Sequence, residues 1–205
     1  MSPSPPFRFS NPEVAPIPDH TEIERRFLVD GRGEKPWRTA AIAQAIEQYY
    51  GVGKHLRHDE GTMTCNGVLV AWMTAEQAEV YRQTSDWVTR LRKQDNAWFL
   101  TFKSRISSMA ARELEWRLEP EAAQTLLAQG PFPSIQKTRY MWIGDNEAVW
   151  EVDEFEGGLA GLVLAEVELE RSDQSVMLPA WLGQEITGLS SWSNRALAET
   201  LASTL

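Results

Sequence analysis

The sequence predicts a mainly β, α+β fold built on a closed or strongly curved antiparallel sheet with few helices. Three observations carry that prediction. Runs of alternating ionic and apolar residues recur along the chain, among them Glu22-Ile23-Glu24-Arg25-Arg26, Arg90-Leu91-Arg92, Glu113-Leu114-Glu115 and Glu166-Val167-Glu168. Residues two apart share one face of a strand, so each run puts its charges on one side and its apolar neighbours on the other. Turn signals separate the runs, and few stretches carry a helix start.

Taken in order, residues 1–20 hold six prolines (Pro3 to Pro18) and no periodic pattern, which reads as an irregular leader ahead of a domain over 21–205. A strand over 22–29 follows and is broken by Gly31 and Gly33. Pro36 stands where a helix can begin, and the Ala-rich stretch behind it is expected to carry that helix to about residue 46. Ile46 to Tyr50 reads as the next strand. Within 51–86, Thr62–Cys65 and Val68–Trp72 flank Asn66-Gly67, a dipeptide that suits a tight hairpin turn. Thr74-Ala75-Glu76-Gln77 has the pattern of a capping box that opens a short helix through about Ser85.

Strands are expected over 87–93 and 97–104, joined by a turn at Gln94-Asp95-Asn96, and again over 111–118. Pro120 begins a helix that ends near Gly130. Strands over 135–143, 147–155 and 162–171 follow, and a last helix starts near Ser193. Gly157 to Gly161 lies between strands and reads as a turn. The chain has no Walker-type phosphate loop and no dinucleotide fingerprint.

Composition narrows the function. A chain of 205 residues can bury one well-packed core, and 42% hydrophobic with 24% charged residues is the balance of a soluble globular protein. Nine Trp is a high count, and Trp87, Trp98 and Trp116 fall on predicted apolar strand faces. The single Cys65 excludes an intramolecular disulfide and agrees with a reducing, cytoplasmic setting. No apolar run is long enough for a signal or a membrane span, so a membrane partner is not expected. The net charge of −9 argues against a nucleic-acid partner. A phosphate ligand stays open, because the charge at the site decides that question.

Two sets of charges point to chemistry. Glu22/Glu24 and Glu166/Glu168 each project two carboxylates from one strand face, the oxygen-rich environment that hard divalent cations prefer. A lone Glu-x-Glu is usually a solvated surface pair. Repetition changes the balance, since carboxylates stacked on one sheet repel unless cations lie among them. Arg90/Arg92, Lys103 and Lys137/Arg139 share that predicted face and are suited to phosphate oxygens. Cross-strand salt bridges are the plainer account of any single pair. Large aromatics on the opposite faces (Trp87, Trp98, Phe102, Trp116) argue that the charged side is enclosed. His20, His55 and His58 have no metal-ligand spacing.

Together these runs resemble the CYTH domain, the superfamily of triphosphate tunnel metalloenzymes. The resemblance rests on Glu-x-Glu-x-basic at 22–26, Arg-x-Arg at 90–92, Leu-Thr-x-Lys at 100–103, Glu-x-Glu at 113–115, Lys-Thr-Arg-Tyr at 137–140, Trp-Glu-Val-Asp-x-Phe at 150–155 and Leu-Ala-Glu-Val-Glu-Leu at 164–169. It also includes Leu178–Gly188 and Ser193-Asn194, and covers about residues 21–200.

The resemblance implies an eight-stranded antiparallel barrel enclosing an ionic tunnel, with helices outside. It further implies a small-molecule triphosphate substrate and Mg²⁺ or Mn²⁺ as cofactor. By position, Glu22, Glu24, Glu115, Asp153, Glu166 and Glu168 would be metal-side carboxylates, with Glu113 a further candidate. Arg26, Arg90, Arg92, Lys103, Lys137 and Arg139 would hold phosphates, and Arg26, Glu22 and Glu24 would serve catalysis. Where the family carries Lys, this chain has Arg26, which keeps the charge in a different shape.

The activity implied is hydrolysis of tripolyphosphate or a related triphosphate. Cyclisation of ATP by a class IV-type adenylyl cyclase and non-catalytic triphosphate or polyphosphate binding are the alternatives. The 51–86 segment is extra relative to the family pattern, and is expected to cover a tunnel mouth or to make a homodimer contact.

Overall fold

The computed structural model describes residues 20–40, 42–144 and 147–204. Apart from His20, the expected leader lies outside them. Strand β1 (Thr21–Val29) passes through a single 3-10 turn at Pro36–Thr39 into β2 (Ala43–Tyr50). Next come β3 (Leu56–Asp59), β4 (Thr62–Cys65), β5 (Val68–Trp72) and helix α1 (Ala75–Gln83). Strands β6 (Val88–Gln94), β7 (Ala97–Arg105) and β8 (Ala110–Leu118) lead to helix α2 (Pro120–Leu127). The chain finishes with β9 (Ser134–Ile143), β10 (Val149–Phe155), β11 (Val163–Glu168), β12 (Leu182–Glu185) and helix α3 (Asn194–Ser203).

Eight of these strands close a barrel. Neighbours run β11-β10-β9-β2-β6-β7-β8-β1, and β1 returns to pair with β11, from Glu24 opposite Glu168 to Leu28 opposite Leu164. Closure removes the free strand edges that an open sheet would expose. The eight-stranded antiparallel barrel with peripheral helices is therefore the fold the resemblance implied. Among the described residues, no helix is long and apolar enough to cross a membrane.

Alternation sorts the side chains as the sequence suggested. Ile23, Val152 and Val167 pack in one outer cluster with Trp37 and Trp150. Leu91, Leu100, Leu114 and Trp116 pack in another, and the three leucines are wholly buried. Each such leucine contributes about 1.5–3 kcal/mol of burial. A third cluster of Tyr50, Ile135, Phe155, Leu164 and Ile186 meets Ala198 of α3 and packs one end of the barrel.

Several expectations need correction. The helix from Pro36 stops after one turn, and the Ala-rich residues that were to continue it begin β2 at Ala43. Pairing with β6 and β9 on both edges outweighs the intrinsic helical preference of alanine there. Strands β3 and β12 were not anticipated. Residues 57–59 are polar, and the strand pairs only as an edge of the small sheet. Strand β12 lies against β1 from Phe27 onward, where β8, registered only to Thr21–Ile23, no longer covers it. Gly183 permits that approach: a Cβ there would sit 2.8 Å from the Leu28 carbonyl oxygen.

The 51–86 segment packs against the barrel. Met63, Cys65, Val70 and Ala78 join the outer cluster over β6, β7 and β8, so the segment clads the barrel wall. Its local signals are as expected. Asn66 and Gly67 turn with φ of 50° and 82°. The Thr74 hydroxyl accepts from the Gln77 N–H at 3.1 Å, and the Gln77 side chain accepts from the Thr74 N–H at 3.0 Å.

On the opposite wall, Trp37 Nε1 donates to Glu154 at 2.7 Å, and Arg38 grips the same carboxylate with two nitrogens at 2.8 and 2.6 Å. The Arg38 contact, aided by Trp37 and Lys35, lowers the Glu154 pKa from 4.5 to about 2. A carboxylate whose pKa falls on folding stabilises the protein above its unfolded value and loses that contribution as pH drops through the folded one. Glu154→Gln should therefore give a thermal midpoint that falls less than wild type between about pH 5 and 2. Parallel midpoint curves for the two proteins would show that the clamp adds nothing.

Candidate active site

The inward faces of the barrel strands bring the predicted ionic residues into one connected network. On β1 and β7, Lys103 bonds Glu22 and lies 3.7 Å from Glu24. From β8, Glu113 stands 3.5 Å from Lys103 and 3.6 Å from Arg90. Glu115, on the same strand face, takes Arg92 at 2.8 Å, Arg90 at 3.3 Å and the Thr101 hydroxyl at 2.7 Å. Arg26 continues the network, with Glu24 at 3.2 Å and Glu166 at 2.6 Å, and it donates to the Trp192 carbonyl at 3.2 Å.

Deeper in the barrel, Arg139 holds Asp153 through two nitrogens at 2.7 Å each, reaches Glu166 at 3.4 Å and also bonds Glu151. Lys137 bonds the same Asp153 and is wholly buried, as is Asp153 itself. Burial alone would raise the Asp153 pKa, but Arg139 and Lys137 hold it well below the carboxylate range. Burial and the neighbouring Arg139 push Lys137 down to about 8, against the pull of Asp153. Asp153 is thus fully engaged by two cations.

The β1, β8 and β11 side of the interior differs. Burial raises the Glu22 pKa, and Glu113 and Glu166 add to the shift against the opposing Lys103. Burial and Glu166 likewise raise Glu24. Glu168, the register partner of Glu24, is raised by burial and then by Glu22, Glu151 and Glu24. It has no salt bridge among the described residues and stands open to solvent. Burial would depress Lys103, yet Glu24, Glu22 and Glu113 together hold its pKa above the ordinary lysine value. Carboxylates outnumber cations on this side, so added positive charge is favoured there.

The residues present fit a divalent cation in one particular sense. Among the described residues no three carboxylates already converge as a cage. A hard cation of the Mg²⁺ type needs only one or two carboxylates when substrate oxygens and waters complete its shell. Burial and neighbouring carboxylates raise the proton affinity of Glu22, Glu24 and Glu168, and one oxygen of Glu113 is buried with no hydrogen bond. Such oxygens suit a hard cation that shares its shell with an anion.

A CYTH domain family model matches residues 70–197, a span that holds six of the eight barrel strands. The chain belongs to the CYTH domain family. An inorganic triphosphatase from Nitrosomonas europaea is 32% identical over 111 residues, which is 53% of this chain and 73% of that protein. An inorganic triphosphatase from Acetivibrio thermocellus is 32% identical over 124 residues, 58% of this chain and 79% of that one. The crystal structure of the inorganic triphosphatase NE1496 superposes with a TM-score of 0.51 at 26% identity, covering 86% of this chain and 93% of the other.

In this CYTH barrel, every predicted site residue therefore faces the common interior, but not all are equally free. Sequence reasoning left Glu151 unassigned, although it lies two residues before Asp153 and so shares its face. It also passed over Gln48 and Tyr50 on the inward face of β2, which are buried and joined by a 2.8 Å hydrogen bond. Neither carries a charge to betray its position. Burial pushes the Tyr50 hydroxyl up to about 12.

Proposed function

We propose that the protein is a metal-dependent hydrolase of inorganic tripolyphosphate, releasing the terminal phosphate, with Mg²⁺ or Mn²⁺ as its cofactor. The observation that carries this reading is the convergence of Arg26, Arg90, Arg92 and Lys103 on one enclosed interior beside the carboxylate-rich wall of Glu22, Glu24 and Glu168. The names of the two curated relatives point to the same substrate.

Arg90, Arg92 and Lys103 would take the phosphate oxygens, exchanging their present carboxylate partners for the substrate. Glu22, Glu24 and Glu168 would hold the divalent cation, which when bound neutralises phosphate charge and lowers the pKa of water. Water attacks the terminal phosphorus, the P–O bond to the bridging oxygen breaks, and that oxygen leaves with pyrophosphate. The fixed cations stabilise the charge that develops on the transferring group and hold the chain in line.

Asp153 would act differently from its neighbours on the barrel wall. Pinned by Lys137 and Arg139, it orients these two cations toward the substrate and leaves metal binding to the β1–β11 wall. Glu115 and Glu166, each shared by two cations, would serve both roles as the substrate enters.

Phosphate release measured from tripolyphosphate with and without Mg²⁺ or Mn²⁺ tests the reading. Release that requires the cation is expected. Cyclic AMP from ATP would favour the cyclase instead, and metal-assisted binding of tripolyphosphate with no release would leave a binding module.

A further inference from the structure

Thr101 stands inside the ionic network and carries no charge. It is wholly buried on β7, with Arg90 of β6 as its register partner on one side and Glu115 of β8 on the other. Its hydroxyl is nonetheless saturated. A threonine hydroxyl has one proton to give and two lone pairs that accept. Arginine can only donate and an ionised carboxylate can only accept, so the direction of each bond is fixed. Arg90 donates to Thr101 Oγ1 from Nη2 at 3.0 Å and from Nε at 3.3 Å, and Thr101 donates to Glu115 Oε2 at 2.7 Å.

The same carboxylate holds both arginines of β6, Arg90 at 3.3 Å and Arg92 at 2.8 Å. When phosphate oxygens draw these arginines away, Glu115 loses two salt bridges at once in an enclosed interior. A charge left there without a partner is costly, so a bare Glu115 would hold the arginines against the substrate. Thr101 changes that balance. Its proton stays on Glu115 after both arginines have turned, and its lone pairs keep Arg90 in place from the side. Arg92 has a support of its own that does not depend on Glu115. Its guanidinium lies 4.9 Å from the ring centroid of Phe99, its register partner on β7.

We propose that Thr101 is a positioning residue for the phosphate grip, one that lets Arg90 and Arg92 pass from Glu115 to a triphosphate without leaving that carboxylate unpartnered. This role rests on the tripolyphosphatase reading and deepens it. Thr101 touches no reacting atom and acts through Arg90 and Glu115. Its bonds serve the bound substrate and the transition state alike, and loss of such an interaction raises KM while sparing kcat.

The test compares Thr101→Val, which keeps the shape and removes the hydroxyl, with Thr101→Ser, which keeps the hydroxyl. At saturating Mg²⁺ or Mn²⁺, Thr101→Val should raise KM for tripolyphosphate by about tenfold and leave kcat within about twofold of wild type, the scale of one hydrogen bond to a charged group. Thr101→Ser should restore KM to within about threefold of wild type. Calorimetry with the same cation and diimidotriphosphate, the analogue with nitrogen bridges, should show a matching loss of affinity in Thr101→Val and its recovery in Thr101→Ser. KM and affinity within about twofold of wild type in Thr101→Val would overturn the role. So would equal impairment of the two variants, which would assign the effect to packing, or a loss of kcat at unchanged KM. Should Thr101→Val not fold, Thr101→Cys, close in size with a weak donor, carries the same expectation. A wild type that binds diimidotriphosphate but releases no phosphate from tripolyphosphate would sink the hydrolase reading alone, and the affinities of the variants would then decide for or against Thr101. A wild type that binds no triphosphate overturns both.

Discussion

Replacing Asp153 with Asn is expected to destabilise the barrel by about 3–5 kcal/mol, the usual result of removing one partner from a buried ion group. Asp153 is the shared counter-ion of Lys137 and Arg139, and both Asp153 and Lys137 are at most 1% exposed. The amide would leave a wholly buried ammonium facing a neutral group. A loss of that size is a large part of the ~5–15 kcal/mol that holds a domain folded. Urea denaturation should show a lower midpoint with an unchanged slope. Adding Lys137→Met should recover part of the loss, because it removes the orphaned charge together with its partner. If Asp153→Asn instead keeps the wild-type midpoint and loses only metal affinity, Asp153 is a ligand after all.

Glu24→Gln is expected to lower metal-dependent phosphate release by about 100-fold or more, at the upper end of what loss of a supporting group around a metal causes. Glu24 faces Glu168 across the β1–β11 pair, where burial and neighbouring carboxylates raise both pKa values. The amide keeps the shape and removes the charge that attracts the cation. Because Lys103 retains Glu22 and Arg26 retains Glu166, the fold should persist. Raising the Mg²⁺ or Mn²⁺ concentration should restore part of the rate. A variant with unchanged rate and unchanged metal dependence would remove the β1–β11 wall from metal binding.

The charged interior was legible because strand periodicity assigns faces without reference to any partner. Glu22, Glu24 and Arg26 fall on one side and Ile23 on the other whatever strand lies alongside, and the structure keeps that division. Local signals of short range were equally legible: the Asn66-Gly67 turn, the Thr74–Gln77 box and the start of α3 near Ser193, whose hydroxyl accepts from the Ala196 N–H at 3.2 Å. Their physics is contained within a few residues.

Only the tertiary structure decided what depends on distant partners. Ala43–Tyr50 is a strand throughout because β6 and β9 claim both its edges, a fact absent from its own composition. The 51–86 segment lies over the outer wall because β6–β8 offer apolar surface there, and no property of the segment alone names that surface. The roles of the carboxylates divide for the same reason. Asp153 and Glu168 look alike along the chain, yet register places one between two buried cations and leaves the other without a salt bridge among the described residues. A period of two fixes which face a charge is on, and only strand pairing fixes which charge it meets.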